Sequence, residues 1–516
     1  PTEVKADEGV YVYAKEDCTI ILEGKKANFT SKELKKGWNI ISIGDRSLEE
    51  VKGDCKIIDN VWELKDGGWI LHSVNEVLNG SKGYWVRVEE DCTLGETSTA
   101  PSQPTSIIPC DSCESCNEAI RNAPEGAIIV LTRDIVVPSK KESCILVENK
   151  TGIIFDCNGS KIETQQMAGY YSGSLDYGIK FTNVTYSTIR NCTVKYFTKA
   201  IALDNSHHNT VEDNLLVGIY ENLHGIELSN SHHNTIRKNE IHEFMLAGIH
   251  LAEAHHNLIE ENEIHPQHKN PYEGTELGLT MENSNHNLIK NNTFHSGVVE
   301  MYDNSSENRI ENNTMSRVML KKVNSVTIKK NNLSQISIEA SEHVTIEENV
   351  VKGKGIVCNG LSPNRNIKII GNVIRGGHHA VEAYYTNYDI LIERNVITNN
   401  SIGILTPLDA LIYNLTMKEN IICNNTVDLE IESPCYDCVG YNNACDKISR
   451  NAWNDSGTEG CTYTCAEASE GLPESVTLTL SQGWNLISSP VEQPLTLSKI
   501  EEFCPLETYE GYKMWA

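Results

Sequence analysis

Three side chains in the middle of the chain have the types and the spacing of an acid/base site. Glu227, His250 and Glu282 recur at about the interval of a repeat that runs through this region, so we expect them on neighbouring segments of one surface. Two such groups about 5–10 Å apart can protonate and activate a glycosidic bond. The neighbouring positions mix acidic, neutral and apolar residues, whereas a lyase for anionic polysaccharides needs clustered carboxylates for calcium and a basic residue for substrate. A polysaccharide-active or glycan-binding protein is therefore the alternative hypothesis, and the leading prediction is that the protein is not an enzyme.

Histidines recur with the same period. His242, His265 and His295 each follow a repeated Asn by three residues, and a second series immediately precedes another repeated Asn: His208, His233, His256 and His286. Stacked imidazoles on neighbouring segments can bind copper or zinc. Such a His can equally be a tolerated turn residue that is copied with the repeat. The sequence favours the turn residue, predicts no cofactor, and keeps a copper- or zinc-binding protein as a third hypothesis.

The repeat that must position these side chains is a short phrase, apolar-X-X-Asn-X-apolar, between about residues 150 and 425. Between these phrases lie pairs of apolar residues two apart, such as Ile226/Leu228 and Ile249/Leu251. Period-two apolar strands that recur every ~20–25 residues are typical of a parallel β-helix, here with about 12 coils. Stacked Asn amides can bond to one another and to the turns. The predicted asparagine ladder is Asn214, Asn239, Asn262, Asn292, Asn313, Asn331, Asn349, Asn372, Asn395 and Asn420.

The middle of the chain resembles the right-handed β-helix family with pectin-lyase-like topology, in particular its copper-maturation-type periplasmic and archaeal surface branch. The resemblance covers roughly residues 110 to 430 and is specific for the fold, although not for an activity. A stretch from Cys116 to Ala123 predicts a short helix over the N-terminal end of the solenoid. The residues that carry the resemblance are Asp156-Cys157-Asn158-Gly159, Gly178-Ile179, Gly225-Ile226 and Gly248-Ile249.

Both ends of the chain carry parts of a small β-rich module, similar to repeats of archaeal and bacterial surface proteins. A complete copy runs from Gly37-Trp38-Asn39 to Cys92-Thr93-Leu94. The far end restarts the same pattern and the front supplies what is missing there, which predicts one module split between the two termini. The strands expected to complete it contain Gly9, Val10, Tyr11 and Val12 at the front, and Trp484, Asn485, Leu486, Ile487 and Trp515 at the far end.

The fold class predicted from these patterns is all-β, a right-handed parallel β-helix with small β-rich modules at both ends. Six segments are expected along the chain. They are the C-terminal half of the split module (1–30), the complete module (31–96), a linker (97–108), the β-helix with its N-terminal cap (109–434), a Cys-rich C-terminal cap (435–468), and a linker with the N-terminal half of the split module (469–516).

Composition indicates an exported protein. Seventeen cysteines without a metal-binding spacing are typical of an oxidising compartment. The net charge of −27 disfavours nucleic acid and anionic membranes as partners, and no apolar run approaches the ~18 residues of a membrane span. We expect an extracellular or cell-surface location and covalent N-glycans. The candidate sequons are Asn28, Asn79, Asn149, Asn183, Asn304 and Asn454.

The cysteines also suggest how the split module closes. Cys55 and Cys92 are the only cysteines of the complete module, which predicts a disulfide, and their counterparts in the split module are Cys504 and Cys18. Coils stacked about 4.8 Å apart put the two ends of the solenoid on the order of 50 Å apart, too far for a disulfide within one molecule unless the linkers fold right back along the solenoid. We therefore expect a disulfide between subunits. Cys358, at an inward strand position, is the expected free thiol.

The leading hypothesis combines these observations. An extracellular structural subunit would assemble head-to-tail with copies of itself into a filament, sheath or surface layer, because each copy completes the split module of the next. A long polypeptide that repeats this unit would make the same junction.

Overall fold

The computed structural model describes residues 32–94 and 106–470 with short gaps, together with short terminal strands. Inside the first range the gaps are residues 44–45, 54, 66–67, 73, 75–76 and 79–82. Inside the second they are residues 139–142, 166–175, 220–222, 267–276, 451–452 and 456. The chain forms two compact units, residues 1–103 with 471–516, and residues 104–470.

Residues 104–470 form a right-handed parallel β-helix of about 14 turns, which confirms the predicted fold class and is close to the predicted coil number. Three sheets, named A, B and C here, run along it. The strands of sheet A are Ile107–Cys110, Ile128–Leu131, Ile154–Asp156, Thr188–Arg190, Thr210–Glu212, Thr235–Arg237, Leu258–Glu260, Leu288–Lys290, Arg309–Glu311, Thr327–Lys329, Thr345–Glu347, Asn364–Ile370, Thr386–Glu393, Leu411–Lys418, Cys435–Tyr436, Val439–Tyr441, Asn454–Asp455 and Thr458–Glu459.

Sheet C runs along most of the solenoid, whereas sheet B spans only the coils up to Phe294. The strands of sheet B are Ile135–Val137, Lys161–Thr164, Thr193–Lys195, Leu215–Val217, Glu240–His242, Glu263–His265 and Thr293–Phe294. The strands of sheet C are Ile145–Glu148, Tyr177–Thr182, Lys199–Asp204, His224–Ser229, Ala247–Ala252, Leu277–Glu282, Val298–Tyr302, Arg317–Lys321, Asn332–Glu339, Val350–Asn359, Val373–Arg375, His379–Ala383, Val396–Thr398, Ile402–Thr406, Ile421–Cys423, Val427–Ile431 and Ile448–Arg450.

The repeat phrase produces this fold because equivalent residues stack directly on one another. In sheet A, Ile236 pairs with Ile259 and Ile259 with Ile289, and all three are fully buried. β-Branched side chains pack well on such a pleated surface. The interior is therefore a set of apolar ladders, and each outward position repeats as a row of side chains along the solenoid.

The buried asparagines form the ladder that the sequence predicts. The Asn262 side-chain amide donates to Asn292 Oδ1 at 3.0 Å and to the Ile236 carbonyl at 2.8 Å. The Asn262 backbone N–H donates to the same Asn292 oxygen at 2.9 Å. Each amide thus satisfies its neighbour, which offsets the cost of burying polar groups.

Both ends of the solenoid are closed. A helix, Cys113–Asn122, covers the N-terminal end and starts three residues before the predicted stretch, because Ser112 and Ser115 form a capping box at its start. At the other end the asparagine ladder finishes at Asp455, whose carboxylate accepts from both the backbone N–H and the amide of Asn443. A short 3₁₀ helix, Glu467–Glu470, follows.

Disulfides concentrate at the two ends of the solenoid. Among the described residues Cys358 is a free cysteine, and it is buried, as its inward position predicts. The bonds of the solenoid are Cys110–Cys116, Cys113–Cys144, Cys157–Cys192, Cys423–Cys465, Cys435–Cys438 and Cys445–Cys461.

The other unit contains the complete module, in which Cys55 and Cys92 are bonded. Its short helix is Leu48–Val51. Its strands are Lys32–Leu34, Gly37–Ile41, Arg46–Ser47, Ile57–Lys65, Gly68–His72, Val77–Leu78, Tyr84–Val88 and Cys92–Leu94, and the strands of the chain ends are Glu3–Val4, Val10–Ala14, Cys18–Leu22, Val476–Leu480, Gly483–Ile487 and Leu495–Thr496.

The two chain ends pair in the register of the complete module. Gly37–Ile41 lies antiparallel to Tyr84–Val88, and Gly483–Ile487 lies antiparallel to Val10–Ala14 with the same residue opposition. Likewise Cys18 lies opposite Leu480, as Cys92 lies opposite Leu34.

These terminal strand pairs form within one chain. The length of the solenoid therefore does not by itself prevent closure in one molecule, and the disulfide between subunits stays a prediction. The estimated distance belongs to the solenoid alone, whereas the paired strands belong to the other compact unit. Gly9, Cys504 and Trp515 lie outside the described residues.

Within the described residues, neither α-helix has the length and apolar character needed to cross a bilayer.

Candidate functional site

Sheet B carries one of the two predicted histidine series on its outward side. His242 and His265 occupy equivalent positions on adjacent coils, and their rings stack with centroids 4.4 Å apart. His295 continues the stack beyond His265 at 4.1 Å. Glu240 and Glu263, also paired in register, lie two residues before His242 and His265. These five residues are called the histidine–glutamate ladder below.

In the ladder, imidazoles and carboxylates converge through the same ring nitrogen. His242 Nε2 lies 2.7 Å from Glu240 Oε1 and His265 Nε2 lies 3.1 Å from Glu263 Oε1. His295 Nε2 approaches the same Glu263 oxygen at 2.8 Å. The ligand atoms of Glu240, His242 and His265 all lie within 4.8 Å of one another, as do those of Glu263, His265 and His295.

The surroundings of Glu263 and His265 favour the forms in which these two residues bind a metal. The hydrogen bond from His295, with the contact to His265, lowers the pKa of Glu263 despite some burial. Burial, and then the neighbouring imidazoles His242 and His295, lower the pKa of His265. A deprotonated carboxylate and a neutral imidazole are the forms in which these side chains bind a divalent cation.

The other histidine stacks lie on the turns between sheets C and A and differ from the ladder. His208, His233, His256 and His286 stack at 4.6–4.9 Å. Beside them, His207 and His232 each accept a backbone N–H at Nδ1, from His232 and His255 respectively. Neutral rings that use Nδ1 in this way carry their proton on Nε2. These stacks therefore serve the turn structure, the role that the sequence favoured for repeated histidines.

Sheet C carries the predicted acid/base residues. Glu227 and His250 are paired on adjacent coils, and His250 pairs with Thr280 on the next. Glu282 pairs with Ala252 and so lies in the neighbouring outward row, not in that of Glu227 and His250. The structure thus brings together two of the three predicted residues.

Two residues that the sequence prediction missed, Lys199 and His224, contact Glu227 and His250 on sheet C. These four residues are called the groove cluster below. Lys199 Nζ lies 2.7 Å from Glu227 Oε1, and His224 Nδ1 lies 2.7 Å from Glu227 Oε2. The His224 ring stacks on His250 at 4.5 Å, and His250 Nδ1 is 2.8 Å from Thr280 Oγ1. The side chains of Lys199, His224 and Glu227 are only 10–12% exposed.

Contacts within the groove cluster set the protonation of Glu227 and His250. Burial opposes the charge of Glu227, but hydrogen bonds from His224 and Lys199 outweigh it and lower the pKa of Glu227 to about 2. Burial, with the charge of His224, lowers the pKa of His250 to about 4. An ionised carboxylate therefore lies against two histidines, of which His250 is neutral near pH 7.

The same His-X-X-Glu spacing occurs again in sheet C. His379 Nδ1 lies 2.7 Å from Glu382 Oε1, in the outward row of Glu227. A hydrogen bond to Glu382 raises the pKa of Tyr384 to about 12. The repeated spacing is the signal that could have led from the sequence to His224.

The predicted glycosylation sites divide between described and other residues. Asn149, Asn183, Asn304 and Asn454 are exposed, whereas Asn28 and Asn79 lie outside the described residues.

A family comparison accounts for the solenoid. The model of the periplasmic copper-binding protein (NosD) family matches residues 112–316 and 275–471, most of the chain. The chain belongs to the NosD family. This membership confirms the resemblance to the copper-maturation-type branch of β-helix proteins, and a periplasmic family agrees with the predicted export. No curated protein matches the chain.

Solved structures similar to this NosD-family chain are also β-helices. A PL6-family alginate lyase is 15% identical with a TM-score of 0.43, over 69% of this chain and 53% of that one. The A-module of the mannuronan C-5 epimerase of Azotobacter vinelandii is 13% identical with a TM-score of 0.34, over 69% and 95%. The catalytic domain of a GH87 α-1,3-glucanase is 12% identical with a TM-score of 0.32, over 80% and 91%. The NosD-family chain thus spans about half the length of the alginate lyase, and the likeness concerns the fold alone.

The histidine–glutamate ladder fits the metal in the family's description. Imidazole nitrogens with carboxylate oxygens are donors that copper(II) accepts, and copper(II) binds such sets more tightly than the other divalent first-row ions. His242, His265 and His295 would supply the nitrogens, and Glu240 and Glu263 the oxygens.

Proposed function

We propose that this NosD-family protein is exported and binds copper(II) on the histidine–glutamate ladder. The observation that supports the proposal is the convergence of His Nε2 and Glu Oε1 atoms on adjacent coils of sheet B. The ladder is open to solvent, since the side chains of Glu240, Glu263 and His295 are 46–54% exposed. An ion can therefore arrive and leave without unfolding.

The rest of the molecule supports a cationic cargo. A formal net charge of −27 raises the local concentration of cations around the protein. The solenoid holds the ladder rigidly, because Glu240, His242, Glu263 and His265 lie on strands that are paired on both sides. His295 directly follows the strand Thr293–Phe294 and stacks on His265. A preformed donor set loses little freedom when it binds an ion.

Equilibrium dialysis of the full chain against copper(II), followed by metal analysis, tests this function. We expect the protein to retain copper, and a variant with His242, His265 and His295 all replaced by Ala to lose it. His233→Asn is the matched control, because it removes a ring from the middle of a histidine stack that holds neither of the two candidate ligand groups, and keeps a residue that tolerates φ +57°. Equal copper retention by the parent and the triple variant would overturn the proposal.

A second candidate function is proton transfer on a glycan bound along sheet C. The supporting observation is the Glu227–His224 pair. A carboxylate that holds Nδ1 leaves Nε2 as the proton acceptor, which is the orienting role of the acid in a catalytic triad. His250, beside it, is a further neutral imidazole. The acidic chain favours uncharged over polyanionic glycans.

Incubation with neutral and uronate polysaccharides, followed by assay for new reducing or unsaturated ends, tests the glycan function. We expect cleavage of a neutral glycan by the parent protein, and loss of that cleavage in His224→Ala with His208→Asn unchanged. If no polysaccharide is cleaved, or if His224→Ala cleaves as fast as the parent, the groove cluster has a structural role only.

Head-to-tail assembly into a filament, sheath or surface layer is the third proposal. It is supported by the equivalence of the terminal strand pairs to those of the complete module, because exchange between molecules would conserve every pair. Equal mixtures of isotope-labelled and unlabelled protein, digested without reduction, test it by mass spectrometry. Disulfide-linked Cys18 and Cys504 peptides of mixed label support exchange, and pairs of one label only contradict it.

A further inference from the structure

The histidine–glutamate ladder contains two overlapping sets of metal ligands. One set is Glu240, His242 and His265, and the other is Glu263, His265 and His295. Each set holds two imidazoles and one carboxylate from neighbouring coils. His265 belongs to both.

The shared residue cannot serve two ions in this arrangement. His265 faces the ladder through Nε2, which lies 3.1 Å from Glu263 Oε1. The single lone pair of that nitrogen binds one ion at a time. Only one of the two sets can therefore have all three of its ligands on an ion at a time.

We propose that the ladder binds one copper(II) ion, which moves between the two sets while His265 stays bound. This inference rests on the proposed copper function. The ion exchanges Glu240 and His242 for Glu263 and His295, so that it passes from one coil to the next along the solenoid without release. No bond other than metal–ligand bonds changes, and the ion keeps its charge.

Stacking distances separate the ladder from the other histidine stacks. Its rings lie 4.4 and 4.1 Å apart, closer than the 4.6–4.9 Å of the stack from His208 to His286. Closer rings bring two nitrogens nearer to the spacing that one ion with ~2.0–2.1 Å bonds requires. The two groups found among the described residues both lie on this ladder.

Three single variants of the full chain test the inference: His242→Ala, His295→Ala and His265→Ala. The first two each destroy one set and leave the other, whereas the third removes a ligand from both. We expect one copper per chain in the parent, in His242→Ala and in His295→Ala. We expect His265→Ala to bind copper(II) at least ~10–100-fold more weakly than the parent, because loss of even an outer-shell partner has an effect of that size.

Electron paramagnetic resonance of the copper(II) forms gives a second readout. Two coupled imidazole nitrogens are expected in the parent and in the first two variants, and one in His265→Ala. His233→Asn, with unchanged stoichiometry and spectrum, controls for the loss of a stacked ring.

The outcomes separate the two proposals. A parent protein that retains no copper overturns the copper function itself. Two ions per parent chain, or complete loss of copper in His242→Ala or in His295→Ala alone, leave copper binding in place and overturn the shared-ligand inference.

Discussion

At the scale of single residues, Glu227 gives the solenoid a stability that depends on pH. Its pKa falls from 4.5 to about 2 because His224 and Lys199 donate to the ionised form and outweigh burial. A carboxylate with a depressed folded pKa adds stability that is complete above its unfolded pKa and is lost as pH falls through the folded value. The relevant window is therefore pH 4.5 down to about 2.

Replacement of the Glu227 carboxylate should remove this pH-dependent contribution to the free energy of unfolding. We expect Glu227→Gln to lower the free energy of unfolding at pH 7 by an amount on the order of 3 kcal/mol. The difference from the parent should shrink as pH falls from 4.5 towards 2. Urea unfolding of the solenoid at pH 7, 4.5 and 3 measures it, with the exposed Glu118→Gln as control. A difference that is the same at pH 3 and pH 7 would contradict the assignment.

The residues of the groove cluster differ in how far the sequence alone could predict their contacts. Glu227 and His250 could be predicted because they occupy the same outward row, and rows follow from the repeat. Lys199 and His224 begin their strands and lie outside that row, so their contacts to Glu227 depend on side-chain direction that periodicity does not give. Glu282 lies on the next coil but in the neighbouring outward row, paired with Ala252, so recurrence at the interval of a coil does not bring it against His250.

At the scale of elements, the asparagine ladder is the part of the molecule with the most demanding polar contacts. Asn292 supplies the acceptor for both the backbone N–H and the side-chain amide of Asn262. Its neighbour Asn291 is exposed, in a left-handed turn with φ 56°. The two adjacent asparagines therefore differ in role: Asn292 accepts buried hydrogen bonds, whereas Asn291 forms an exposed turn.

This difference predicts opposite outcomes for neighbouring substitutions. Asn292→Ala leaves two buried donors without an acceptor and should lower the free energy of unfolding by about 2–5 kcal/mol. Asn291→Gly keeps the left-handed turn and should change it by less than about 1 kcal/mol. Thermal and urea unfolding of both variants measure these changes in the free energy of unfolding. Equal effects would mean that the ladder adds nothing beyond the turn.

The elements were largely predictable because stacked coils repeat the same chemistry. The phrase apolar-X-X-Asn-X-apolar identified the strands of sheets A and B and the ladder between them. A second ladder, which includes Asn234, Asn257 and Asn287, was missed although each member follows a repeated His. The terminating carboxylate Asp455 could not be read from the repeat, because it lies where the repeat ends.

At the scale of the whole molecule, the sequence predicts the contacts that repeat from coil to coil and fails to predict the contacts that do not. The solenoid follows from translation of one coil, so composition and spacing suffice for it. Disulfide connectivity at its two ends depends on how irregular segments fold over the last coils. The pairing of the chain ends likewise joins segments that are far apart in sequence and belong to the other compact unit, so the repeat of the solenoid does not predict it.

The uneven placement of the disulfides predicts an uneven response to reduction. From residue 193 to residue 422 the sequence has one cysteine, the buried Cys358, whereas all six bonds of the solenoid lie outside this range. In a stack where each coil contacts its neighbours, loss of end constraints loosens the ends first. Hydrogen exchange under reducing conditions should therefore rise in the caps and stay unchanged in the central coils. Cys358, whose pKa burial raises to about 12, should resist alkylation until those coils unfold. Uniformly faster exchange, or alkylation of Cys358 together with the cap cysteines, would show that the disulfides hold the whole solenoid and not only its ends.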